Sequence, residues 1–363
     1  MSARPRSARF VAALVIIPVL AAACGSNDAP TPTTSSSPTS SSSSVVTSSS
    51  ATVTSEPTTT TATPVPTETT PAAPVLDPLT GNTTVSPNVV VAAKIENNFS
   101  GRQFGVAQAD VVYVEMVEAQ LSRLIAVFHT TLPNEVGPVR SVRTTDPDVL
   151  TAYGKPALVF SGGAGGPLDN FAASGLVDAS IDRYPGLYFN SSAASSPYKV
   201  HTNMAKVVAT VPGISTPNSP GFTFGGDYPA MAAGRSVSSI SAAFQISVKF
   251  TAKGADYAYV RAGKAAVDAD GTAVTMQNVL VQHVQAEPDG NVDVNGVKSF
   301  KSHSIGSGTF TLYRDGKAID GNWSRPDAGS PTSYLDPSGA PVLFKPGKTW
   351  VVLAPSMIRV SEG

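Results

Sequence analysis

A segment of almost uniform Ser, Thr, Pro and Ala composition separates the first 24 residues from the part of the chain that can fold. It runs from residue 25 to residue 75, and its charged residues are the isolated acids Asp28, Glu56 and Glu68. Such a segment has little apolar surface to bury, which predicts a disordered stalk. A stalk of about 51 residues spans roughly 40 Å as a flexible coil and roughly 160 Å when extended. The folded part is therefore confined to residues 76–363, enough for one large domain or two smaller ones.

The residues before this stalk have the features of a bacterial lipoprotein signal. Three arginines form a basic start, an apolar run follows from residue 10 to residue 23, and Cys24 comes directly after three alanines. The run is shorter than the ~20 residues that a membrane-spanning helix needs. We predict a signal peptide over residues 1–23 and a lipid on Cys24 that anchors the chain to the extracytoplasmic face of the cell membrane. The alternative is an ordinary secretory signal with an incidental cysteine, because Ala21 stands where the lipid-acceptor motif usually has leucine.

Composition limits the classes of partner. Cys24 is the only cysteine among 363 residues, so the mature domain is expected to have no free thiol and no disulfide. The formal net charge of −1 argues against a nucleic-acid partner, which would call for a basic surface. No second run of 18 apolar residues occurs, and the four histidines lack a paired metal-binding spacing. We predict no further membrane span, no metal and no cofactor.

The residues beyond the stalk predict a mixed α/β fold of the α+β class with two modules. Residues 76–216 alternate buried strands with short helices, whereas residues 217–236 are rich in Pro and Gly and predict a linker or wide loop. Residues 237–363 predict a mainly antiparallel β module, in which residues 314–317 (RDGK) are a strong hairpin signal. Further turn signals are Asp270-Gly271, Asp289-Gly290 and Asn295-Gly296. The predicted strands of the first module are 89–95, 111–117, 121–128 and 157–160, and its predicted helices are 146–153, 167–173 and 202–210.

The ordered region resembles the YerB-like lipoproteins, a family whose domain has no established activity. The resemblance is most specific in residues 122–129 (SRLIAVFH) and residues 136–143 (VGPVRSVR). It covers about residues 78–355 and implies a mixed fold with an N-terminal and a C-terminal portion. Phe160 departs from the family by standing where members often have a histidine, and Ala119-Gln120 stand where members often have glycines. Further matching blocks are residues 92–97, 108–118, 277–282, 321–323 and 345–351.

Three arginines form the first candidate binding site. Arg140 and Arg143 lie three residues apart, and Arg123 belongs to a preceding predicted strand. Guanidinium groups bind carboxylates and phosphates through paired hydrogen bonds. The three arginines predict either an anion-binding surface for a cell-envelope ligand or internal ion pairs that fix the domain. The acids available for such pairs are Glu96, Asp110, Glu115, Glu118, Asp146 and Asp148.

A glycine-rich loop, residues 161–166 (SGGAGG), follows a predicted strand and precedes a predicted helix. Gly162 and Gly163 allow the backbone N–H groups there to form an anion cradle. The alternative is a tight turn with close backbone packing. Because the loop lacks the spacing of the dinucleotide-binding and P-loop motifs, no nucleotide partner is predicted.

Glu115 and His201 are the candidates for catalysis. Glu115 and Glu118 lie three apart, and two carboxylates in one cleft can divide the acid and base roles of glycoside cleavage. Residues three apart on a strand face opposite sides, however, which counts against a shared cleft. His201 lies in a polar stretch, residues 198–203, although a lone histidine is usually structural.

Two functions follow from these candidates. The leading hypothesis is a non-enzymatic envelope lipoprotein that binds or scaffolds cell-wall polymer or envelope proteins, because no catalytic motif is assembled. The alternative is an envelope hydrolase or transferase that acts on a glycan or peptide with Glu115 or His201 beside the arginines. A deep cleft shared by these residues would favour the enzyme, whereas their burial in mutual salt bridges would count against it.

The anchor can be tested at its acceptor atom. Cys24→Ala removes the thiol that would carry the lipid, so the protein is expected to leave the membrane fraction and lose incorporation of radiolabelled fatty acid. Incorporation of labelled lipid by the variant would show that the anchor lies elsewhere.

Overall fold

The computed structural model describes residues 75–363. The predicted signal peptide, the lipid-acceptor Cys24 and residues 25–74 of the predicted stalk lie outside the described residues. Among the described helices, none is both long enough and apolar enough to cross a membrane.

The first half of the described chain contains eight short strands and four short α-helices, with Val and Ala the most frequent buried residues of its longer strands. Four single 3-10 turns, at Val106–Gln108, Glu118–Gln120, Thr151–Tyr153 and Pro185–Leu187, connect some of them. The strands are β1 (Val91–Glu96), β2 (Val111–Met116), β3 (Ser122–Phe128), β4 (Ala157–Val159), β5 (Val177–Asp178), β6 (Tyr188–Asn190), β7 (Val200–Thr202) and β8 (Thr223–Phe224). The helices are α1 (Thr145–Leu150), α2 (Gly165–Ala173), α3 (Met204–Thr210) and α4 (Pro229–Ala232).

The second half is built from strands and turns. Its strands are β9 (Arg235–Ser236), β10 (Ser239–Ala242), β11 (Val248–Lys253), β12 (Asp256–Arg261), β13 (Lys264–Ala265), β14 (Thr275–Met276), β15 (Asn278–Val284), β16 (Ala286–Val292), β17 (Lys298–Ser302), β18 (Gly306–Arg314), β19 (Lys317–Arg325), β20 (Ser333–Leu335), β21 (Leu343–Phe344), β22 (Thr349–Pro355) and β23 (Val360–Glu362). The described chain is therefore mainly β, with a mixed sheet and short helices in its first half and mostly antiparallel pairs in its second.

One large sheet crosses both predicted modules. Its strand order is β20-β19-β18-β15-β22-β2-β3-β1-β4-β5, and β9 pairs with β19. Strand β22, from the end of the chain, lies parallel to both β15 and β2. The N-terminal strands thus continue directly into the C-terminal ones through β22. A second sheet, with the order β13-β12-β11-β10-β23 and β14 beside β12, is antiparallel in all its pairs.

Both faces of the large sheet are buried at its central strands β1, β2, β3 and β22. In β22 the alternating residues Trp350 and Val352 belong to one hydrophobic cluster, and Val351 and Leu353 belong to the other. The Trp350 ring lies 4.7 Å from the ring of Tyr259 in the second sheet, centroid to centroid. A continuous apolar run such as residues 350–354 is the pattern expected of a strand covered on both sides. Each fully buried side chain of this size contributes about 1.5–3 kcal/mol to the free energy of unfolding.

Most of the predicted elements are present, with small shifts at their ends. The hairpin at residues 314–317 joins β18 to β19, and Asp315 and Gly316 have the positive φ angles of a two-residue hairpin turn. The helix predicted from residue 202 begins instead at Met204, because Asn203 caps it by accepting a hydrogen bond from the Lys206 N–H at 2.9 Å. The turn predicted at Asp289-Gly290 was wrong, because these residues lie inside β16, at the point where its register with β17 shifts.

The shared sheet predicts that the N-terminal module depends on the C-terminal one. A fragment of residues 76–236 lacks β22, which leaves the apolar edge of β2 unpaired and uncovers the face that Trp350 packs against. We expect residues 75–363 to melt cooperatively and residues 76–236 to show no cooperative transition by near-ultraviolet circular dichroism. A sharp melting transition of the short fragment would instead show two independent domains.

Candidate functional site

The site is organised around Lys94, a lysine in the middle of an apolar strand. Strand alternation places Lys94 of β1 and Glu115 of β2 on the same face of the sheet, and the N-terminus of α1 brings Asp146 over that face. The Lys94 ammonium group contacts the Glu115 carboxylate and lies 2.5 Å from an Asp146 oxygen, and all three side chains are fully buried. Burial lowers the pKa of Lys94 to about 8, although the attraction of the Asp146 carboxylate acts to raise it. Lys94 therefore remains a cation at neutral pH.

Glu96, two residues further along β1, joins two of the candidate arginines. Its Oε1 lies 2.7 Å from Arg123 Nη1, and its Oε2 lies 2.9 Å from Arg140 Nε. Burial lowers the pKa of Arg123 to about 10, so Arg123 also stays charged at neutral pH. The Glu96 carboxylate additionally accepts hydrogen bonds from the backbone N–H groups of Asn97 and Asn98, each at 2.9 Å. Both oxygens of the Glu96 carboxylate therefore have partners within the protein.

The third arginine, Arg143, pairs with a different acid. Arg143 Nε and Nη2 lie 2.7 and 2.8 Å from the two oxygens of Glu118, which gives a paired guanidinium–carboxylate contact. The Arg143 backbone N–H donates to Asp146 at 2.8 Å, which links this pair to the Lys94 cluster. Of the other predicted acids, Asp110 accepts hydrogen bonds from the residue 129 and 130 backbone, and Asp148 pairs with Lys301.

The three arginines converge on one cleft of about 520 Å³, which we call the arginine cleft. Its walls come from the β2–β3 turn, the extended segment 140–143, the loop before α2 and the hairpin of β16 and β17. Arg123 and Arg143 are largely buried at its base, whereas the Arg140 side chain is 31% exposed. Among the described residues the terminal nitrogens of Arg140 have no ion-pair or hydrogen-bond partner. The guanidinium carbon lies 6.0 Å from the centre of the Tyr198 ring, a contact that leaves the hydrogen-bond donors available to a ligand.

The glycine-rich loop contributes one wall of the arginine cleft. Gly163 lines it, and a Cβ atom at Gly163 would lie 2.8 Å from the Val142 side chain, whereas one at Gly162 would meet no atom within 4 Å. Gly162 has a φ of +73°, a conformation that favours glycine. Helix α2 begins at Gly165, within this loop and two residues before the predicted start, and its N-cap residue Ala164 provides no side-chain hydrogen bond. Its first N–H groups therefore add a partial positive charge beside the cleft.

The two catalytic candidates lie apart from the arginine cleft. Glu115 is fully buried against Lys94 and does not line the cleft. The His201 side chain is also fully buried, and its Nδ1 lies 2.7 Å from Glu135, on the wall of a different cavity. Burial lowers the pKa of His201, which favours the neutral imidazole. The structure does not bring Glu115 and His201 to one reacting position.

Residues 79–215 match the family described as "Protein of unknown function (DUF3048) N-terminal domain", and residues 238–351 match its C-terminal domain. The chain belongs to the DUF3048 family. It is 25% identical to "Putative lipoprotein YerB" of Bacillus subtilis (strain 168) over 309 residues, which cover 78% of this chain and 87% of that protein. The crystal structure of YerB protein from Bacillus subtilis has the same fold, with a TM-score of 0.66, 20% identity, and coverage of 79% of this chain and 99% of that one.

The β2–β3 turn has a backbone conformation that favours glycine. Ala119 and Gln120, which stand where the resemblance led us to expect glycines, have φ angles of 53° and 57°. These left-handed angles suit glycine, so the turn keeps a glycine-like backbone with less favourable residues. The turn matters to the site because it carries Glu118, the partner of Arg143.

Sequence reasoning missed Lys94 as a member of the site. Its signal was a single lysine within the apolar run of residues 89–95, since a lysine is almost never fully buried without a partner. The identity of that partner was not readable, because Glu115 and Asp146 lie 21 and 52 residues away along the chain.

Removing the buried cation tests the role of this cluster. Lys94→Met leaves Glu115 and Asp146 buried without their shared counter-ion, so we expect the free energy of unfolding to fall by about 3–5 kcal/mol. Urea denaturation measures the change. The matched control is Lys206→Met on the exposed face of α3, which is expected to change stability by less than about 0.5 kcal/mol. Equal stability of the two variants would contradict the assignment.

Proposed function

We propose that this chain is a lipid-anchored protein of the extracytoplasmic face whose arginine cleft binds an anionic group of a cell-envelope polymer or envelope protein. The observation that carries the proposal is the free guanidinium end of Arg140 within a cleft of about 520 Å³, a volume typical of ligand sites. The lipoprotein-like N-terminus and the name of the Bacillus relative support the location.

Directional hydrogen bonding, rather than net charge, would select the ligand. The arginine cleft is lined by Arg123, Arg140 and Arg143 and by the acids Glu118 and Asp293, while Glu96 lies behind it. These charges nearly cancel, so the long-range attraction for anions is weak. A carboxylate or phosphate could still accept two hydrogen bonds from the terminal nitrogens of Arg140. Such a site favours a group presented in a defined orientation over a free ion.

The ion pairs behind the cleft favour binding over catalysis. Arg123 and Arg143 are held by Glu96 and Glu118, which orients their side chains and occupies both carboxylates. The other acid of the lining, Asp293, accepts hydrogen bonds from the backbone N–H groups of residues 295 and 297 in its own turn. Glu115 is enclosed with Lys94, away from any ligand in the cleft. A rigid, pre-paired surface suits recognition, because little side-chain entropy is lost when a ligand binds.

Arg140→Gln is the direct test of the arginine cleft. The substitution removes the free donors of a charged group, while Glu96 keeps Arg123 and two backbone N–H groups as partners. We expect affinity for bacterial cell-wall preparations, measured by cosedimentation of the purified full chain, to fall about tenfold or more. Arg359→Gln, at an exposed arginine outside the cleft, serves as the control and should pellet like the unaltered protein.

Treating the preparations with protease distinguishes the two partners. Retained binding after digestion indicates the polymer, and lost binding indicates an envelope protein. Pelleting that is the same for the Arg140→Gln variant and the unaltered protein would refute the arginine cleft as the binding site.

A further inference from the structure

A second cavity lies between the loop Phe99–Arg102 and the second sheet. Its volume is about 350 Å³, and most of its lining is apolar. The Phe99 ring forms one wall, and Ile246 and Val267 form part of the rim. Alanines at positions 262, 265 and 266 leave the space open, because their side chains are too short to fill it. We call this space the Phe99 cavity.

The rim of the Phe99 cavity carries exposed apolar side chains. Ile246 is 48% exposed and Val267 is 53% exposed, which makes them two of the more exposed large apolar residues in the described part of the chain. Exposed apolar groups around a concavity are a feature of ligand-binding sites, because a bound apolar molecule removes them from water. Their burial would contribute to binding without any change in the fold.

The charged residues that line the Phe99 cavity are all cations. Arg102 and Arg261 line it, and none of its lining residues is acidic. Arg261 is held in place, since its Nη2 donates to the Phe99 carbonyl at 2.7 Å, its Nη1 donates to the Gly101 carbonyl at 3.1 Å, and its guanidinium lies 5.0 Å from the centre of the Phe99 ring. Arg102 is exposed and has no ion-pair or side-chain hydrogen-bond partner among residues 75–363.

Glu96 does not neutralise this pair of cations. Glu96 acts electrostatically on Arg261, but its two oxygens are already occupied by Arg123 and Arg140. The floor of the cavity is also fixed, because the Tyr259 hydroxyl donates to Asn97 at 2.8 Å. The Phe99 cavity therefore combines a rigid apolar wall with a free cation at its mouth. The arginine cleft, in contrast, contains cations that are mostly paired.

We propose that the Phe99 cavity is a binding site for a small amphiphilic anion, a molecule with an apolar body and one carboxylate, sulfate or phosphate group. The apolar body lies against Phe99, Ile246 and Val267, and the anionic group binds Arg102. Arginine suits this role because its planar guanidinium remains charged and offers paired donors to an oxyanion. The volume of about 350 Å³ limits the body to the smaller end of the range of protein ligands.

Three probes with the same eight-carbon chain test this inference on the full chain by isothermal titration calorimetry. Octanoate is expected to bind more tightly than octanol, and octyltrimethylammonium is expected to bind most weakly of the three. Arg102→Gln should weaken octanoate binding about fivefold or more and leave octanol within about twofold, because it removes the charged guanidinium and leaves Phe99, Ile246 and Val267 in place. Ile246→Gln should weaken both octanoate and octanol, because it removes part of the apolar rim.

The controls separate this cavity from other arginines. Arg359→Gln should leave octanoate affinity unchanged, because Arg359 does not line the Phe99 cavity, and Arg140→Gln reports any octanoate that binds in the arginine cleft instead. Because Arg102 is exposed, its variant is expected to fold normally, which thermal melting checks. The inference is overturned if no probe binds, if the ammonium probe binds as tightly as octanoate, or if Arg140→Gln rather than Arg102→Gln weakens octanoate binding.

Discussion

A fully buried lysine between two carboxylates is the interaction on which the N-terminal half depends. Burying an isolated ammonium group costs several kcal/mol, and this cost is offset only when opposite charges lie in contact. Lys94 meets that requirement through Glu115 of β2 and Asp146 of α1. The same cluster continues through the Asp146–Arg143 contact to the arginine cleft. The buried Lys94 ammonium group needs both carboxylates. It therefore fixes the position of α1, which carries Asp146, and through Asp146 the position of Arg143 in the cleft.

The central strand β22 imposes a second constraint. It lies between β2 and β15, although it comes from near the end of the chain and has more than 230 residues between it and β2. Both faces of β22 are buried, and its Trp350 contacts the second sheet. Two sequence modules of the DUF3048 family therefore share one sheet, so the linker predicted between them does not separate two cores.

Local patterns along the chain were sufficient for the strands that carry the site. The strands predicted at residues 89–95, 111–117 and 121–128 each lie close to their observed bounds. Period-two alternation also places Lys94 and Glu96 on one face of β1. The Asp289-Gly290 signal failed because a β-bulge inside β16 uses the same residue types as a turn. The pairing of Arg123 with Glu96 rather than with another acid depended on register, which is not local.

The amino-acid sequence was enough to establish the family, the arginines and the mainly strand-forming character of the second half, because each rests on neighbouring residues or on a short motif. Only the tertiary structure decided which charges meet and which stay free. The sequence gives no reason to distinguish Arg123, Arg140 and Arg143. In the structure Glu96 pairs with Arg123 and Glu118 pairs with Arg143, whereas Arg140 contacts Glu96 through Nε and keeps its terminal nitrogens free. Arg102 and Arg261 likewise lie around one apolar cavity only because the fold places them there. The physical reason is that ion pairing and cavity formation depend on distances in space, which separation along the chain does not specify.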